Sequence, residues 1–191
     1  MNLSELGIKA RAASVLLAKM NVETKNKALI ACADALVKES NSILEANAKD
    51  VLIGREKGMN EGLVDRLMLT EERIKGIAEG LEQVAALDDP VGEVLDMKKR
   101  PNGLLIGKKR VPLGVVGMIY EARPNVTPDA FALCFKSGNA VILRGGSDAI
   151  NSNIAIVKVL QDTLKACGIT EDAVQLIEDT SHEVGTQFMK M

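Results

Sequence analysis

The 191 residues, 47% of them hydrophobic, hold enough apolar material for one sizeable core, and the longest apolar stretches fall well short of a membrane span. Lysine and arginine total 24 against 26 acidic residues, so no charge excess points to nucleic acid, and 2% aromatic content with no tryptophan disfavours a base-stacking platform. A soluble cytoplasmic protein is expected, because the first helical segment carries Glu5, Lys9, Arg11 and Lys19, unlike a signal peptide.

The first 88 residues read as an alanine-rich helical segment. Leu6, Ala10, Ala13, Leu17 and Met20 form one apolar stripe and Leu29, Cys32 and Leu36 a second, while Thr70 ahead of Glu71, Glu72 and Arg73 starts a third helical stretch. Spacing gives these helices a packing role and assigns no chemistry to their exposed side chains. After Asp88-Asp89-Pro90, two runs spanning residues 93–111 flank Arg100-Pro101-Asn102-Gly103, and Asn-Gly between such runs predicts a hairpin. Lys98, Lys99, Lys108 and Lys109 suit the protection of its edges.

Residues 112–191 alternate strand and helix. Val115 to Ile119 is a short continuous apolar run, as expected of a buried parallel strand. Ligands of open α/β sheets collect beyond the carboxyl ends of the strands, so the polar loop Tyr120-Glu121-Ala122-Arg123 stands where a substrate would be met. Pro124 disfavours helix at Arg123, and Thr127-Pro128 reads as an N-cap followed by proline at the first helical position. Arg123 and that helix N-terminus together suit an anionic group, although a salt-bridged loop arginine would leave the same pattern.

A second strand, Ala140 to Leu143, ends in Arg144-Gly145-Gly146-Ser147-Asp148. Here the glycines admit a ligand close to the backbone, Arg144 can fork onto a phosphate, and Ser147 or Asp148 caps the next helix. Ile150, Ile154, Val157, Leu160, Leu164 and Cys167 keep helical spacing up to Gly168. A third strand, Val174 to Ile177, leads to a last helix for which Thr180 and Glu183 form a capping-box pattern.

The segments PLGVVG and SGNAVILRGG, with the loop between them and the helix after, resemble the aldehyde dehydrogenase superfamily. The longer run YEARPNVTPDAFALCFKSGNAVILRGGSDAINSN is similar to its gamma-glutamyl phosphate reductase family, and the resemblance extends over essentially the whole chain. It implies an α/β fold with a Rossmann-like parallel sheet, N-terminal helices and a hairpin, covering an incomplete NADP-binding domain at residues 1–191. It also implies NADPH-dependent reduction of L-glutamyl 5-phosphate through a thioester on a cysteine of a second domain, which would lie beyond Met191. A small-molecule substrate follows, as does a homo-oligomer assembled in part through the hairpin. An acylating aldehyde dehydrogenase of other substrate and a non-catalytic nucleotide-binding or assembly module are the alternative readings.

The same resemblance locates the candidate site residues. The superfamily's oxyanion-hole asparagine falls near Ala122 to Asn125, making Asn125 the chemical match, although this loop departs from the usual pattern. Arg123 is the substrate-binding candidate. Arg144, Gly145, Gly146 and Ser147 stand where the cofactor would be held, and an arginine with no nearby glutamate favours the 2′-phosphate of NADP. Cys32, Cys134 and Cys167 all read as core positions rather than nucleophiles. His182 reads as solvent-exposed, and one histidine with three widely spaced cysteines makes a metal site improbable.

Overall fold

The computed structural model describes residues 2–191, and opens with five helices: α1 (Leu3–Leu17), α2 (Val22–Lys38), α3 (Ser40–Glu56), α4 (Glu61–Leu67) and α5 (Glu71–Ala86). Four begin at a side chain able to take up an unpaired helical N–H. Asn2, Asn21, Asn60 and Thr70 accept from the backbone of Ser4, Thr24, Leu63 and Arg73 at 2.8–3.1 Å. The stripe Leu6, Ala10, Ala13 and Leu17 of α1 is buried, while Met20 lies beyond that helix and packs at its margin. Leu29, Cys32 and Leu36 of α2 are buried as well.

Strands β1 (Val94–Lys99) and β2 (Leu105–Lys109) pair antiparallel around Arg100 to Gly103. Gly103, at φ +85°, is the sole turn residue in the left-handed region, so the turn is not the doubly left-handed kind that Asn-Gly most often makes. Instead Gly103 donates to the Arg100 carbonyl at 2.9 Å and Arg100 to that of Leu104 at 2.8 Å. Val94, Leu95, Met97, Leu105 and Ile106 are all about half exposed on this ribbon.

The core follows as β3 (Val115–Ile119), α6 (Val126–Lys136), β4 (Ala140–Arg144), α7 (Ile150–Ala166), β5 (Val174–Leu176) and α8 (His182–Phe188). β3, β4 and β5 form a parallel sheet in that order, with Val115 opposite Ala140 and Val141 opposite Val174. Helix α1 packs on all three strands, and α6 and α7 pack on each other and on β4 and β5 respectively. Behind them α2 and α5 pair with each other, α2 touching α6 and α7 and α5 touching α6. Phe131 and Phe135 are fully buried with ring centroids 5.3 Å apart. Side chains of that size each contribute about 1.5–3 kcal/mol by leaving water.

Several boundaries differ from the sequence reading. The run Val115 to Ile119 is less buried than its composition implies: Ile119 is 47% exposed, while β5, the other outer strand of this sheet, is buried throughout. Helix α6 starts at Val126, two residues before Pro128, and Thr127 is buried inside its first turn rather than capping it. The last helix is capped by Ser181, whose hydroxyl accepts from Val184 N–H at 3.3 Å, and not by Thr180. Cys167 is exposed at the C-cap of α7, and Ile154 is 37% exposed, so the stripe through Ile150 turns away from the core at those two positions.

The start of α7 differs most. Ser147 to Ala149 form a single 3-10 turn, and neither Ser147 nor Asp148 caps the helix. The cap comes from α3. Asp50 accepts from the backbone N–H and hydroxyl of Ser152 at 2.7 and 2.6 Å, and from the backbone and side-chain amides of Asn151 at 3.2 and 2.7 Å. A carboxylate meets the positive end of the helix dipole and satisfies two of its free donors, 102 residues away from Ser152 in the chain.

Candidate functional site

Beyond the carboxyl ends of the strands, the loop after β3 and the Gly145-Gly146 turn after β4 lie against each other. Tyr120 N–H donates to the Arg144 carbonyl at 3.1 Å, carrying the parallel ladder one step past the strands. The Tyr120 hydroxyl and Thr127 Oγ1 are 2.7 Å apart, and Thr127 Oγ1 donates to Asn153 Oδ1 at 2.7 Å. Thr127 has one hydroxyl proton, which goes to Asn153, so Tyr120 is the donor to Thr127. Burial raises the Tyr120 phenol and keeps it a neutral donor.

This chain of bonds explains Gly145 and Gly146. A Cβ on Gly145 would run into the buried Asn153 Nδ2 and lie 3.3 Å from the Tyr120 ring; one on Gly146 would lie 3.2 Å from Ala122 N. The sequence reading credited these glycines to a ligand approaching the backbone. In the structure the close neighbours are protein groups, and the glycines let two site loops touch.

Arg123 is exposed at the mouth, with its N–H on the Glu121 carbonyl at 2.9 Å and Val126 N–H on its own carbonyl at 3.1 Å. Asn125 opens α6 without a side-chain cap bond. The two residues share a cavity of about 510 Å³ with Arg66, Leu69, Ile77 and Asp129, between α4, α5 and the first turn of α6. Arg123 also lines an adjoining cavity of about 390 Å³ with Arg66, Leu63, Gly146 and Ser147. Arg123, Asn125, Gly146 and Ser147 are thereby brought to one side of the sheet mouth.

Arg144 is not among them. Its Nη2 donates to the Thr180 carbonyl at 2.6 Å and the Ser181 carbonyl at 3.1 Å, and its Nε is buried without a partner among the described residues. The guanidinium lies against Gly185 of α8, where a Cβ would make ordinary contact with it at 3.5 Å. The fork read as open to a phosphate is tethered to the segment before α8, so a phosphate would have to displace at least one of those carbonyls.

The cysteines stand apart from this mouth. Burial pushes the Cys32 thiol up to about 12, with a smaller contribution from Cys167, and the Cys134 thiol up to about 11. Cys167, exposed, sits at the opposite end of α7 from Ser147. Among the described residues no three histidine, cysteine or acidic side chains are grouped to hold a metal, and no helix is long and apolar enough to cross a membrane. Arg66, Asp129 and Asn153 escaped the sequence reading. Asp129 alone left a trace, as an acid in the first turn of a helix; Arg66 lies on a separate helix, and the partners of Asn153 are remote in the chain.

No family model matches the chain. It is 56% identical over 190 residues to the gamma-glutamyl phosphate reductase of Lachnospira eligens, covering 100% of this chain and 46% of that protein. To the enzyme of the same name from Caldanaerobacter subterraneus it is 57% identical, over 96% of this chain and 44% of that protein. Among solved structures, the gamma-glutamyl phosphate reductase of Thermotoga maritima superposes with a TM-score of 0.96 at 44% identity, over 99% of this chain and 46% of that one. An acetylating aldehyde dehydrogenase from Geobacillus thermoglucosidasius shares the fold, with a TM-score of 0.76 at 15% identity over 98% of this chain and 38% of that one. The parallel sheet with helices on it is thus the N-terminal fold of the aldehyde dehydrogenase superfamily. Within that class the chain is homologous over its whole length to the N-terminal part of the gamma-glutamyl phosphate reductases, and it spans a little under half the length of the curated relatives it matches.

Proposed function

We propose that this chain is the cofactor-holding and substrate-orienting part of an enzyme that reduces L-glutamyl 5-phosphate to L-glutamate 5-semialdehyde with NADPH, in proline biosynthesis. The observation that carries this reading is 56% identity along 190 residues with a protein of that name. When bound, NADPH supplies the hydride. Arg144, with backbone of Gly145 to Ser147, would hold its ribose-phosphate part; its charge fits, while its tether to Thr180 and Ser181 must yield.

The exposed guanidinium of Arg123 orients an anionic part of the substrate, and Asn125, whose side chain makes no cap bond and lies against Asp129, turns its amide to an oxyanion. No cysteine of this chain suits the nucleophile: two are buried with raised thiols, and the third lies at the wrong end of α7. In this reading residues 1–88, the hairpin 93–111 and the core 112–191 make up an incomplete domain, the thiol belongs to a second domain, and this chain alone is inactive. The exposed ribbon of β1 and β2 is the natural surface for a homo-oligomer, and cytoplasm the compartment.

A chimera tests this, with the chain replacing the matching N-terminal part of the Thermotoga maritima enzyme. It should reduce L-glutamyl 5-phosphate with NADPH. Arg123→Ala should then lower kcat/KM while leaving NADPH affinity nearly unchanged, and lysine should rescue only partly, supplying charge without the planar fork. A loss of NADPH affinity with normal turnover at saturating cofactor would move Arg123 to the cofactor site.

A further inference from the structure

The cavity of about 510 Å³ between α4, α5 and the start of α6 is lined by five charged side chains, Asp65, Arg66, Arg73, Arg123 and Asp129. Two of them neutralise each other, since Arg73 Nη2 pairs with Asp65 at 2.8 Å and Arg73 Nη1 is held by the Met68 carbonyl at 2.7 Å. The other three, Arg66, Arg123 and Asp129, take part in no ion pair among the described residues. Two cations and one carboxylate without a charged partner therefore face one hollow.

A ligand bearing only negative charge would meet Asp129 as a repulsion, and one bearing only positive charge would meet two arginines. The complement is a molecule with a cation beside a negative group that two guanidiniums can share. Asp129 is half-buried, and burial raises its carboxyl, with the Asn125 side chain opposing; an ammonium partner would offset the cost of holding that charge out of water. Guanidinium groups, for their part, suit carboxylate through paired N–H donors.

We propose that this cavity binds the α-amino acid end of the substrate, with Asp129 taking the α-ammonium and Arg66 and Arg123 the α-carboxylate. The assignment rests on the reading that the substrate is a glutamyl compound, and adds to it the group that distinguishes an amino acid from a plain acyl phosphate. Arg66 and Asp129 are specificity residues in this scheme. They touch the end of the substrate remote from the reacting carbon.

Calorimetric titration of the chain with L-glutamate, glutarate and 4-aminobutanoate tests it, each probe keeping or lacking one charged group. L-Glutamate should bind most tightly. Asp129→Asn should weaken L-glutamate about tenfold, the size expected for one charge-assisted hydrogen bond, and tighten glutarate, which loses a repulsion. Arg66→Met should weaken L-glutamate and spare 4-aminobutanoate; Arg66 is exposed and Asp129 half-buried, and thermal melts will verify that the variants fold. Glutarate binding as tightly as L-glutamate, or L-glutamate binding unaltered in both variants, would overturn the site. In the chimera, Asp129→Asn with an unchanged KM for L-glutamyl 5-phosphate would sink this site and leave the proposed reaction standing. A chimera without reductase activity, made from a chain that binds L-glutamate through Asp129, would instead sink the reaction and leave the amino acid site.

Discussion

Asp50 and Ser152 are joined twice, through the backbone N–H at 2.7 Å and the hydroxyl at 2.6 Å, so a carboxylate on α3 caps the helix that follows the Gly145-Gly146 turn. Asp50 is 2% exposed and Ser152 is fully buried, so water cannot replace either partner. Asp50→Ala should lower stability by about 3 kcal/mol, because it strands buried donors at a helix terminus. Asp50→Asn keeps the shape, loses the charge and should cost less. Urea unfolding of both variants checks the order, and an alanine variant as stable as the parent would remove Asp50 as the cap.

Gly145→Ala should destabilise the fold by about 1–3 kcal/mol, the usual range for adding a methyl group to a filled space. Its Cβ would meet Asn153 Nδ2, which is buried, and the Tyr120 ring. A denaturation midpoint equal to the parent's would mean that the two site loops are not held together at this point.

Arg144→Ala is expected to act in two ways. Removing the donor to the Thr180 and Ser181 carbonyls should speed amide exchange through α8. If Arg144 takes the 2′-phosphate as proposed, its loss should cost about 1.5–3 kcal/mol of NADP binding, roughly ten- to a hundredfold, with little effect on NAD. Faster exchange with equal losses for both cofactors would leave Arg144 a structural tether only.

A single thiol should react with a disulfide reagent at pH 8, and Cys167→Ser should abolish the reaction, since Cys32 and Cys134 are buried. Their folded values, about 12 and about 11, lie above the ordinary 9.0 that holds once the chain unfolds. The unfolded state therefore binds fewer protons above pH 9.0, and the contribution of these two thiols to stability is complete below that pH and falls as pH rises towards about 12. Stability measured between pH 8 and 11 in Cys134→Ala should decline less steeply than in the parent.

Local signals were enough for the parts of this protein whose causes are local. The stripe Leu6, Ala10, Ala13, Leu17, the cap at Thr70, the turn at Gly103 and the strand Ala140 to Leu143 each rest on contacts or dihedral preferences within a few residues, which periodicity and turn chemistry report. The run around YEARPNV also carried the family, because a match over thirty residues constrains far more than a single motif.

Only the tertiary structure decided what depends on groups distant in the chain. Asp50 rather than Ser147 caps α7, Asn153 and Tyr120 lie where a Cβ on Gly145 would be, Thr180 and Ser181 occupy Arg144, and Cys167 lies on the exposed side of its helix. The physical reason is common to all four. A side chain's partner is the donor, acceptor or apolar face that packing brings within a few ångströms, and the partners of Ser152 and Arg144 lie 102 and 36 residues away along the chain.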